Sequence, residues 1–164
     1  MPQLSELDRV SNYARWFIQL RWIAIILTFV LVVATIWVFE FLPKVVWWPL
    51  VLTVLSLAAL NLGFVLLQRL KLVTRNLLAL QAYADLMGLT VLLHFSGSLE
   101  NPLAPLMLFH VIIAGIILPR LQCYMVALFG GTMYAILAGV ELQGLLPHYT
   151  LQIFPHVEHE GEIA

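Results

Sequence analysis

Charge is what this chain has least of. Eight Lys and Arg and nine Asp and Glu make up only 10% of its 164 residues, against 62% hydrophobic residues and a mean hydropathy of +0.97. An average soluble domain is about 25% charged, so a soluble globule is excluded. The eight basic residues form no patch and the net charge is −1, which leaves no electrostatic footprint for nucleic acid. Cysteine is nearly absent too. The lone Cys123 cannot close an intramolecular disulfide, so the fold rests on helix packing, and within an apolar helix that thiol is a packing residue. There is no glycine-rich nucleotide loop, nucleophile triad or cysteine-rich metal motif, and hence no self-sufficient enzyme in these residues.

What is present is a series of apolar runs, each long enough at 1.5 Å per residue to cross a hydrocarbon core about 30 Å thick. Five spans are expected, over about residues 16–39, 46–67, 76–95, 103–118 and 121–142. The fold class is therefore all-α, a polytopic helical bundle in the lipid bilayer. Residues 1–15 are a polar start in which Ser5 to Asp8 caps a short surface helix, and residues 143–164 are a polar tail. The first run lacks a small-residue cleavage site and is read as a retained span, with Arg15 and Arg21 snorkelling to its near face. Asn61 and Gly63 in the second span, and Gly130, Gly131 and Gly139 in the fifth, suit close helix approach.

The basic residues set the orientation. With the N-terminus in the cytoplasm, Arg9, Arg15, Arg21, Arg69, Lys71, Arg75 and Arg120 fall inside and only Lys44 outside, seven of the eight basic residues. The turn between the third and fourth spans, Ser96-Gly97-Ser98-Leu99-Glu100-Asn101-Pro102-Leu103, then faces outward, and so does the tail. A sixth span would return the chain to the cytoplasm, so these residues are expected to be the N-terminal piece of a longer protein.

Asp85 lies midway along the third span. A carboxylate there costs about 2.5–3.5 kcal/mol or more on insertion scales, so it needs a partner or a proton. It is either a protonatable group beneath a ligand pocket or one half of a helix–helix hydrogen bond with Gln81, Asn61 or Thr53. His94 and His110 flank the polar turn; their imidazoles can bind a small ligand, ligate haem iron, or simply pack. Within the turn, Gly97 supplies unusual backbone angles, Asn101 closes an Asx-type turn and Pro102 opens the fourth helix. The tail carries His156, Glu158 and His159, which read as a loose metal site or as a solvated acidic loop.

Taken together, Arg21-Trp22-Ile23-Ala24, Gln81 and Asp85, the turn at Ser96–Leu103, and His110 to Ala114 resemble the membrane domain of RegB/PrrB/ActS-type sensor histidine kinases. That family carries a Gly-Gly-x-x-Asn-Pro-Phe heptad between its third and fourth spans, which falls on Gly97 to Leu103. Ser98 stands in place of the second Gly and Leu103 in place of Phe, so an aromatic ring that could stack on a quinone is missing. The resemblance implies a six-span, redox-sensing input domain in a bacterial inner membrane that binds a quinone near residues 96–103. The implied contacts are Gly97, Glu100, Asn101, Pro102, Leu103, His94, His110 and Asp85. It further implies a homodimer, an ATP-dependent kinase domain beyond these residues, and a cognate response regulator. The alternatives are a small membrane subunit holding haem between His94 and His110, and a purely structural membrane component. A transporter is disfavoured because no inverted repeats or paired broken helices are visible.

Overall fold

The structure, a computed structural model, describes residues 2–72, 74–147 and 149. Five α-helices follow one another: α1 (Pro2–Val33), α2 (Trp47–Arg69), α3 (Arg75–Phe95), α4 (Leu106–Ile117) and α5 (Arg120–Leu142). Among the described residues there is no strand. The bundle is all-α, as composition requires.

Four segments, Arg15–Val38, Lys44–Arg69, Arg75–Phe95 and Arg120–Leu142, are long and apolar enough to cross a membrane. The polar start over residues 1–15 does not form a separate surface helix, because α1 runs without a break from Pro2. It ends in one wider, π-helical turn over Ala34–Val38, where the Thr35 hydroxyl bonds back to the carbonyls of Leu31 and Val32. A short 3-10 turn, Lys44–Val46, leads into α2. Thr74 caps α3 by accepting a hydrogen bond from the Leu77 amide at 3.2 Å.

The fourth element differs from expectation. A span was expected over 103–118, but α4 has 12 residues, about 18 Å of helix. The reason lies in the residues before it. Pro102 does not open the helix; residues 102–105 form consecutive tight turns, and Pro105, with φ −59°, occupies the helix start instead.

Side-chain contacts fix the direction of each helix. Asn76 meets Gln122 at 2.9 Å near the start of α3 and α5, and His94 meets Glu141 near their ends. The two helices are therefore parallel, and α4 carries the chain back between them. The bundle runs up, down, up, down, up. Arg69, Lys71, Arg75 and Arg120 gather at one end, and Lys44 and the 96–103 turn lie at the other.

Two apolar cores result, one formed by α3, α4 and α5 and the other by α1 and α2 with Leu92 of α3. Leu78, Ala82, Leu86 and Leu93 pack with Met107, Ala114, Val126 and Leu137 of α4 and α5. Leu92 packs instead with Ile25, Val32 and Ile36, and with Leu50 and Val54 of α2. Gly88 makes the α2–α3 approach possible, since a Cβ there would sit 2.6 Å from a Leu57 methyl. Gly130 lies against Leu86 in the same way, whereas a Cβ at Gly63, Gly131 or Gly139 would meet nothing within 4 Å. Outward positions such as Ile23, Leu52 and Leu128 are exposed, the inside-out pattern of a bundle solvated by lipid.

Candidate functional site

Between the two cores lies a cavity of about 350 Å³, walled by α1, α2, α3, the 96–103 turn and α4. Its volume falls in the range of small-molecule sites. Along α3 it extends from Asp85 to Ser96, eleven residues or about 16 Å. Most of the wall is apolar, from Leu20, Ala24, Leu27 and Leu31 on α1 to Phe109 and Ile113 on α4.

The inner end is polar because Arg21 and Asp85 meet there. Arg21 does not snorkel. It is only 6% exposed, and its Nη2 donates to Asp85 Oδ2 and, at 3.1 Å, to the Gln81 carbonyl. The guanidinium also lies 4.9 Å from the Phe64 ring centroid and 5.5 Å from that of Phe17. An arginine six residues inside the span Arg15–Val38 satisfies its charge more fully from these groups than by stretching toward the interface. This pairing resolves the two readings of Asp85. Its partner is a cation on α1 and not Gln81, Asn61 or Thr53: Asn61 donates to the Ile18 carbonyl at 3.4 Å, and Thr53 bonds within its own helix. Asp85 nevertheless lines the cavity as well.

The opposite end is the polar turn, whose hydrogen bonds are directed onto itself. Asn101 Oδ1 accepts from the Leu103 amide at 2.8 Å, the expected Asx-turn, and its Nδ2 donates to the Ser96 carbonyl at 2.9 Å and to Ser96 Oγ. The amides of Glu100, Asn101 and Ala104 bond to Gly97, Ser98 and Asn101 carbonyls. Those backbone donors are thus consumed by the turn. Gly97 has φ 103°, as a left-handed position demands, and Ser98 follows at φ 46°, fully buried with its Oγ unpartnered. Of the turn residues singled out from sequence, Asn101 and Leu103 line the cavity, whereas Gly97, Glu100 and Pro102 do not.

The two histidines separate. His110 lines the cavity, and its Nδ1 lies 2.9 Å from the Leu106 carbonyl one turn back. His94 turns the other way, toward α5. Its Nδ1 meets Glu141 Oε1 at 2.9 Å, and its ring stands edge-on to Tyr149, 5.7 Å between centroids. The expectation that both imidazoles serve one ligand does not match this placement. The pair needed for a bis-histidine haem is divided, with His110 of α4 in the cavity wall and His94 of α3 against Glu141 of α5. His156, Glu158 and His159 lie outside the described residues; among the described ones, no three His, Cys, Asp or Glu side chains are grouped to hold a metal.

Two residues that matter here escaped sequence reasoning. Arg21 carried a signal, since an arginine inside an apolar run has the same need for a partner as Asp85 does. Glu141 carried less: its role depends on α3 and α5 being parallel neighbours. Comparison with known proteins adds no relative, for no family model, curated protein or solved structure matches this chain.

Proposed function

We propose that this bundle is the membrane-embedded sensory domain of a signalling protein, of the redox-sensing histidine kinase kind, and that its cavity takes a quinone-like ligand. The single observation carrying this reading is an apolar cavity between helices that ends on a buried Arg21–Asp85 pair and His110. Such a site suits a flat polar head on an apolar tail, the chemistry of a membrane quinone.

The head meets Arg21, Asp85 and His110, and the tail lies along α1 and α4 toward the turn. This assignment moves the head away from the 96–103 backbone, where the amides of Glu100, Asn101 and Leu103 already bond within the turn. The turn acts as the rigid end wall. Its two successive left-handed residues, Gly97 and Ser98, fall where the family's heptad has its paired glycines, which favours the same reading. A ligand wedged between the two cores biases their packing only through differential affinity for two arrangements, and that bias is the signal passed onward.

Ala24 lines the cavity with the smallest side chain on its α1 wall, one turn from Arg21, so Ala24→Phe fills the space beside the Arg21–Asp85 pair while leaving both charges in place. Purified protein in nanodiscs is expected to bind decylubiquinone saturably, and Ala24→Phe to abolish that binding while leaving the melting temperature near the parent value. Equal binding by the two proteins places the ligand elsewhere and refutes the proposal.

A further inference from the structure

Independently of what fills the cavity, we infer that the basic end of the bundle binds the phosphodiester headgroup of an anionic phospholipid, held by Lys71 and Arg120 beside Arg75 where α3 and α5 begin together. The hydrogen bond from Gln122 Nε2 to Asn76 Oδ1, 2.9 Å long, joins the first turns of these two parallel helices. Arg75 and Arg120 are the first residues of α3 and α5, so each lies within two residues of that bond. Arg69 closes α2, and Lys71 follows in the turn that leads to α3.

Setting the orientation of the bundle requires only that cations be more numerous at one end. It does not require them to stand where the local backbone opposes them. Arg69 suits the carbonyl end of α2, but the first turn of a helix carries partial positive charge and favours an acid. Neither α3 nor α5 has an acidic residue in its first turn, and each opens with an arginine. Lys71 is a second departure. The amides of Lys71 and Leu72 bond back to the Gln68 and Leu67 carbonyls, a Schellman ending of α2 in which the left-handed position, φ 58° at Lys71, is the one glycine fills most easily. Among the described residues no carboxylate pairs with Lys71 or Arg120. The nearest acids along the chain at this end, Glu6 and Asp8, precede Arg15 on α1 by seven residues or more, about 10 Å of helix. The counter-charge of Lys71 and Arg120 therefore comes from outside the described chain.

Its surroundings identify that anion as a lipid. Arg69, Arg75 and Arg120 each stand at the terminus of an apolar span, the level of the headgroups. Leu70, Leu72 and Leu121 alternate with the cations and are exposed. A phosphodiester takes charge-assisted hydrogen bonds from the guanidinium and ammonium groups, while the leucines lie against the glycerol and the first acyl carbons. A free phosphate would use the cations and leave the leucines in water.

Native mass spectrometry of the detergent-solubilised whole chain resolves the first lipid bound, with dioleoylphosphatidylglycerol, dioleoylphosphatidylcholine and inorganic phosphate as probes. One cation at an anionic headgroup is worth about fivefold in affinity, so the parent protein is expected to favour phosphatidylglycerol over phosphatidylcholine by about tenfold or more. Lys71→Gln/Arg120→Gln should reduce that preference to about twofold or less, and Arg120→Gln alone to an intermediate value. Arg15, Arg69 and Arg75 remain in both variants to keep the orientation, and melting temperatures without added lipid should stay near that of the parent. Lys44→Gln, which removes a charge at the opposite end, should change nothing. Equal affinity of the parent for the two lipids overturns the inference, as does a preference that survives in the double variant. An equal loss in Lys44→Gln also overturns it, since net charge and not this site then attracts the lipid. Displacement of phosphatidylglycerol by inorganic phosphate at matched ionic strength would make the site one for a soluble anion and refute the lipid assignment. If the double variant does not fold, an unchanged preference in Arg120→Gln is the contradicting result. None of these outcomes involves quinone binding, so the reading of the cavity stands or falls separately.

Discussion

Arg21 on α1 and Asp85 on α3 are joined as an ion pair at the inner end of the cavity, with side chains 6% and 10% exposed. Neither charge has another described counter-ion, so each is the condition for burying the other.

Removing one member leaves the other stranded in a low-dielectric site, at a cost of about 3–5 kcal/mol. Arg21→Leu and Asp85→Leu are each expected to lower the thermal midpoint in detergent sharply. The double variant should recover most of the loss, because the uncompensated charge is gone. A double-mutant cycle measured by denaturant titration reads the coupling directly.

Ser98 presents the opposite case, a residue that local geometry does not favour. A non-glycine side chain in the left-handed region costs about 1–2 kcal/mol, and its buried hydroxyl has no partner. Ser98→Gly is therefore expected to raise stability by about 1 kcal/mol or more, and Gly97→Val to lower it. Paired melting curves decide the sign.

Asn101 holds the turn closed through three hydrogen bonds. Asn101→Ala should cost about 1–3 kcal/mol and speed amide hydrogen exchange at residues 101–104. Ligand affinity should change less than it does on filling the cavity at Ala24. Hydrogen-exchange mass spectrometry of the peptide covering the turn checks the first effect.

The parallel arrangement of α3 and α5 is open to a chemical test. In a Cys123→Ser background, cysteines at Asn76 and Gln122 should be joined by a short thiol–thiol cross-linker, while a pair at Asn76 and Glu141 should not. The reverse pattern would mean that α5 runs antiparallel to α3.

Hydropathy alone made the helices legible, because each apolar run must satisfy its own backbone in lipid, and the bounds of α2, α3 and α5 fall within two residues of the expected ones. The Asx-turn at Asn101 was legible for a similar reason: its partner is only two residues away. Contacts between distant helices were not. That Arg21 faces Asp85 depends on α1 and α3 being neighbours, and that His94 faces Glu141 and not His110 depends on helix rotation, which apolar stretches with uniformly hydrophobic surfaces do not encode. The short α4 was hidden for another reason, since its apolar residues continue into turns that proline, and not polarity, creates.

The central claim is that a quinone head lies against Arg21, Asp85 and His110 and not against the turn. Photolabelling with an azido-quinone carrying the reactive group on its ring, followed by peptide mapping, tests it most directly. The account predicts label on α1 near Arg21–Ala24, on α3 near Asp85–Leu89 and on α4 near Phe109–Ile113. Label confined to residues 96–103, or to the outer faces of α2 and α5, would contradict it.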